Sequence, residues 1–77
     1  MRFLALDFET ANHSPDSACA VGAVLGDANG LLHEYSTLIR PPTPNFAFTH
    51  IHGLTWAQCA EAPPYDLAWD DIDLMLQ

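Results

Sequence analysis

The apolar residues fall first into short runs and then into helical spacing. Phe3 to Phe8 (Phe-Leu-Ala-Leu-Asp-Phe) is too short for a helix and bounded by polar residues, which predicts a strand buried on both faces and central in its sheet. Ala18 to Leu25 predicts a second strand. Leu31 to Ile39 predicts a third, half-exposed because His33, Glu34, Ser36 and Thr37 interrupt it. Between the last two, Gly26-Asp27-Ala28-Asn29-Gly30 holds an Asn-Gly pair, whose tolerance of positive φ suits a tight reversal, so an antiparallel hairpin is expected. The second strand should pair with both the first and the third. Arg40 to Asn45 contains three prolines, cannot continue a ladder and reads as a loop.

Thr55-Trp56-Ala57-Gln58 matches the capping box, in which the Thr hydroxyl and the Gln side chain satisfy free backbone amides. A short helix should start there and stop before Pro63-Pro64. Beyond the prolines, Tyr65, Ala68, Trp69, Ile72, Met75 and Leu76 recur at helical spacing while Asp66, Asp70, Asp71 and Asp73 take the other face. This predicts an amphipathic helix running to the end of the chain. The expected class is α+β. Three strands with helices on one face leave the other face uncovered, so a homodimer, or further chain of a larger domain, is expected to cover the sheet.

Composition narrows the function. The chain has 77 residues and a net charge of −8, with Arg2 and Arg40 its only basic residues, so it carries no electrostatic footprint for a phosphate backbone. An acidic surface can still handle phosphate esters when divalent cations sit between carboxylate and phosphate. Cys19 and Cys59 have no metal-knuckle spacing and read as reduced core thiols. No apolar run approaches the ~20 residues of a membrane span, and Met1-Arg2-Phe3 does not open a signal peptide, so a cytoplasmic protein is expected.

The sharpest chemical signal is Asp7-Phe8-Glu9-Thr10. With a side-chain period of two, Asp7 and Glu9 share one face at a strand end, where like charges repel and a hard cation such as Mg²⁺ or Mn²⁺ would relieve them. The plain alternative is that the strand ends in solvent with both acids exposed. Alternation could put His50 and His52 on one face, yet no cysteine or third histidine accompanies them nearby to make a zinc site. Gly53 suits either a close backbone approach or a positive φ before the capped helix. The helix opening at Thr55 could receive an anion or be an ordinary capped turn. Trp56, Trp69, Phe46 and Phe48 could stack on bases or fill the core. The acids Asp70, Asp71 and Asp73 read as a solvated helix face.

Taken in order, Leu-Asp-Phe-Glu-Thr-Ala (residues 6–11), Ala-Cys-Ala-Val-Gly-Ala-Val (18–24), Leu-Ile-Arg-Pro-Pro (38–42), Ile-His-Gly-Leu-Thr (51–55) and Ala62-Pro63 resemble the N-terminal half of the DEDDh 3′–5′ exonucleases, the family of the proofreading epsilon subunit of DNA polymerase III. The resemblance implies a ribonuclease H-like fold, two Mg²⁺ or Mn²⁺ ions in the complete site, and a single-stranded DNA or RNA 3′ end as substrate. It implies Asp7 and Glu9 as catalytic metal ligands, Asp7 bridging both ions and Glu9 holding the ion that carries the attacking water. Phe8, Thr10, His52, Gly53 and Leu54 would line the terminal nucleotide.

The family also needs a second-motif Asp, a third-motif His and a last Asp from a later segment. The acids at Asp70 to Asp73 come too early for the second motif, and His50 or His52 cannot serve as the third-motif base. The expectation is therefore a truncated chain, or the ordered part of a longer protein, holding half of a two-metal site and inactive alone. The enzymatic rival is a haloacid-dehalogenase-type phosphatase, against which stand Glu9 in place of a second Asp and a hairpin in place of a following helix. The rival from outside enzymology is an acidic interaction module that pairs its uncovered sheet with a partner.

Overall fold

The computed structural model describes residues 1–76. Three strands precede three short helices: β1 (Arg2–Thr10), β2 (Ala18–Asp27), β3 (Gly30–Leu38), α1 (Thr49–His52), α2 (Trp56–Cys59) and α3 (Tyr65–Met75). The strands form one antiparallel sheet in the order β1-β2-β3, so the class is α+β and β2 pairs with both neighbours as the pattern predicts. Among the described residues no helix is long and apolar enough to cross a membrane.

Alternation sorts the sheet into two unlike faces. Leu4 stands opposite Leu25, Leu6 opposite Ala23 and Phe8 opposite Val21, which gathers the larger apolar side chains of β1 and β2 on one side. Helix α3 lies on that side. Its Ala68 and Ile72 are about 1% exposed and pack with Val21, Ala23 and Ile39. Burying a side chain the size of Ile72 contributes roughly 1.5–3 kcal/mol. Phe8 completes an aromatic group with Tyr65 and Trp69, ring centroids 6.0 and 6.4 Å away. The opposite row, Ala5, Asp7 and Glu9 beside Val24, Gly22 and Ala20, has no helix over most of its length.

The expectation of a central, doubly buried β1 does not hold. β1 is an edge strand, with Phe3 47% and Leu6 38% exposed. The run Phe3 to Phe8 reads as buried because it is apolar, but Phe3 stands on the face without a helix, and Leu6, on the α3 side, is left open because α3 lies mainly over β2 and β3.

The hairpin is tighter than the Gly26–Gly30 loop expected. Asp27 already pairs with Gly30, and Asp27 Oδ1 accepts from Asn29 N–H at 2.8 Å to close the reversal. Gly30 carries the positive φ (126°), while Asn29 does not. Residues 49–52, expected as loop, make the single turn α1, which Gly53 ends in the left-handed region at φ 77°. The capped helix appears where expected as α2, Gln58 Oε1 accepting from Thr55 N–H at 2.9 Å. Helix α3 follows the predicted faces, with Leu76 as its C-terminal cap; the expectation that it runs to the end of the chain reaches Gln77, outside the described residues. Asp71 does more than face solvent, since it accepts from the Tyr35 hydroxyl at 2.9 Å and ties α3 to β3. The proline segment is a loop whose Arg40 N–H donates to Pro63 C=O at 2.9 Å.

A second small core holds the other end of the sheet. A bulge follows Glu9, because Glu9 pairs with Ala20 and Thr10 with Ala18, leaving Cys19 as the extra residue. Cys19 packs with Ala11 and Cys59 under Phe46, Leu38 and Leu54, and both cysteines are buried and free, as expected.

Candidate functional site

Asp7 and Glu9 stand two residues apart on the open face, about 6.6 Å along the strand, both exposed. Their partners in the register are Gly22 and Ala20, the smallest available, so nothing rises from β2 to shield them. A Cβ built on Gly22 would meet no atom within 4 Å. Asp7 lines one hollow with Gly22, Glu34 and Ser36, and another with Glu9, Ala20 and Leu38. Neither arginine neutralises the pair: Arg2 lies beside Tyr35 and Asp71, and Arg40 beside Trp56 and Pro64. The exposure of both acids is what a strand ending in solvent gives, the plain alternative, and their shared face is the part of the metal reading that the geometry keeps. Among the described residues no third His, Cys, Asp or Glu joins them in a metal-holding group.

The structure divides the remaining expected site residues. His52, Gly53 and Leu54 gather at the bulged end of β1. The His52 Nε2–H donates to Thr10 C=O at 2.9 Å, and Leu54 N–H donates to His52 Nδ1 at 3.0 Å. Phe8 is not brought together with the acids, because the strand period sends it to the α3 side among Tyr65 and Trp69. The Thr10 side chain shares that side and lines a cleft with Phe8, Pro15 and Tyr65, leaving only its carbonyl at the acid-bearing end. His50 and His52 do not form a ligand pair, since helical residues two apart diverge and both nitrogens of His52 are already engaged. Gly53 serves as a positive-φ cap, with open space where its Cβ would be.

A loop whose burial the sequence pattern does not reveal frames this end. Asn12 and Ser17 are buried, with Asn12 Nδ2 donating to Asn45 C=O at 2.8 Å and Ser17 Oγ donating to the Asn12 and Ser14 carbonyls at 2.9 and 2.7 Å. Phe48 N–H donates to Ala11 C=O at 3.0 Å, which brings α1 alongside. The polar run Asn12 to Ser17 signals a turn, but nothing in it signals burial.

Burial pushes the Cys19 thiol up to about 11, helped by the neighbouring Cys59 and by the charge of Glu9, and burial also raises Cys59. The unfolded chain therefore releases the Cys19 proton before the folded chain does. The stability this site contributes is whole below about pH 9 and is lost as pH rises toward about 11. Tyr35, raised by burial and by its bond to Asp71, acts in the same direction. Urea midpoints measured across that window should fall with pH, and Cys19→Ala should shallow the fall; an unchanged slope would refute the assignment.

No family model matches the chain, and neither a curated protein nor a solved structure matches it.

Proposed function

We propose that the chain is the N-terminal part of a metal-dependent 3′–5′ exonuclease domain of the DEDDh type, with a ribonuclease H-like fold, acting on a single-stranded DNA or RNA end in the cytoplasm. The observation that carries this reading is the exposed, uncompensated pair Asp7 and Glu9 on the open face of β1, over a floor of Gly22 and Ala20. The gathering of His52, Gly53 and Leu54 at the same strand end supports it, as does the order of motifs along the sequence. Asp7 and Glu9 would hold Mg²⁺ or Mn²⁺, and when bound such ions supply charge stabilisation at the phosphate and an activated water. The chain's own carboxylates set where the cations sit, and the small floor leaves room for a sugar-phosphate to approach. Phe8 supports the strand from below and takes no direct part.

The open face and the free edge of β1 also call for a cover, either a second copy or the remainder of the domain. Sedimentation separates the two, because a strictly monomeric chain that binds no apolar-surface dye would exclude the second copy.

The decisive assay uses 5′-labelled single-stranded DNA and RNA with Mn²⁺. The 77-residue chain should be nearly inert, and a gene product that carries this segment together with the family's second and third motifs should shorten the strand from its 3′ end only when metal is present. Trapping of a phosphoryl group on Asp7 would instead establish the phosphatase rival.

A further inference from the structure

His52 closes α1, and its ring is used at both nitrogens. A neutral imidazole offers one donor and one acceptor. Here the donor goes to Thr10 C=O at 2.9 Å and the acceptor receives Leu54 N–H at 3.0 Å, with Cys19 Sγ 3.9 Å from Nε2. That set of partners fixes the proton on Nε2. Thr10 follows Glu9 at the bulge, while Leu54 follows Gly53, whose left-handed backbone has open space around it. The ring therefore spans from the acid-bearing end of β1 to the far side of the glycine cap. The start of α1 has its own tie to this strand end, Phe48 N–H to Ala11 C=O, and at the other end of the turn the imidazole supplies the polar tie beside the apolar seat of Leu54 on Ala11, Cys19 and Cys59. Contacts inside the segment, such as the Thr49 hydroxyl to Leu54 C=O at 2.6 Å, shape the loop without attaching it to the sheet.

We infer that His52 is a positioning residue that latches the Gly53–Leu54 segment to the acid-bearing end of β1 through the Nε2–H tautomer of its ring; its relevance to catalysis rests on the reading of Asp7 and Glu9 as the site. The latch makes His52 unavailable to a metal and ties Leu54 to the residue that follows Glu9. A phenylalanine would fill the same space and make neither bond. A glutamine carries an NH₂ donor group at the reach of Nε2 and an acceptor oxygen, and can restore the bond to Thr10 C=O.

The test uses the ¹⁵N-labelled 77-residue chain at about pH 8, above the ordinary imidazole range. Long-range proton–nitrogen correlation should give the Nε2–H pattern for His52, and an Nδ1–H pattern would overturn the inference. In His52→Phe the Leu54 amide should exchange faster by on the order of tenfold, with the β2 amides still protected, and His52→Gln should recover part of that protection. Unchanged Leu54 exchange in His52→Phe would overturn it as well; if that variant does not fold, the wild-type tautomer and the His52→Gln exchange rates decide. Mn²⁺ provides the separate check on the site. Broadening at Leu54 that weakens in His52→Phe while that at the Asp7 and Glu9 amides holds supports positioning, whereas the same Leu54 broadening in both proteins overturns it. If Mn²⁺ leaves Asp7 and Glu9 untouched, the metal reading fails and the positioning role falls with it, while the hydrogen-bonded tautomer stands.

Discussion

In a gene product that carries this segment and the rest of the site, Asp7→Asn is expected to lower turnover on a 3′ end by on the order of a thousandfold, with the fold intact. The asymmetry follows from where Asp7 stands. Its side chain is exposed on the open face, opposite Gly22, and no arginine lies beside it. Surface positions of that kind move stability by no more than about 0.5 kcal/mol. Removing one of two neighbouring like charges also relieves repulsion, so the melting temperature should hold or rise slightly. Asparagine keeps the size and loses the anionic oxygen that a hard cation requires. Rates on labelled oligonucleotide and thermal unfolding of the same preparation check the two halves together. An Asp7→Asn enzyme with wild-type rates would mean that the resemblance placed the site on the wrong residues.

How far such a site can be read from sequence depends on the range of the interaction involved. Asp7 and Glu9 share a face because successive strand side chains alternate, a rule that needs only the strand, and the same rule removes Phe8 and Thr10 from the pair. The α2 cap and the faces of α3 were legible for the same reason, since Thr55 with Gln58 and Ala68 with Ile72 lie within one or two helical turns. The edge position of β1 was not legible. An apolar run looks alike whether its second face is covered or bare, and what decides it is which elements pack there. His52 was not legible either. The sequence marks a histidine before a glycine, but its two partners, Thr10 and Leu54, come from a strand 42 positions away and from just past the glycine cap, two residues on. The bulge that makes Cys19 face Cys59 across 40 positions is likewise a product of the assembled sheet.

Ile72→Ala should be among the most damaging single truncations in the core. Ile72 is about 1% exposed and is the largest side chain that α3 buries, set against Val21, Ala23 and Ile39. Truncation of a buried isoleucine to alanine costs about 2–5 kcal/mol, with the upper end reached where neighbours cannot collapse into the space. The fully buried neighbours Val21, Ala23 and Ile39 are held by the backbone bonds of the sheet and its continuation and do not move in, which keeps much of the cavity open. A chain of this size buries only roughly 60% of its unfolded surface and has little stability in reserve, so the loss approaches the whole of it. Leu74→Ala, on the same helix but 67% exposed, supplies the control and should change stability by less than about 0.5 kcal/mol. Urea unfolding followed by tryptophan fluorescence reads both, because Trp69 sits beside Phe8 and Tyr65 on the same interface. Equal midpoints for the two variants would mean that α3 is not seated on the sheet through Ile72. Since α3 and the acids lie on opposite faces, Ile72→Ala at temperatures where it still folds should leave Mn²⁺ broadening at Asp7 and Glu9 as in wild type, which separates loss of the fold from loss of the site.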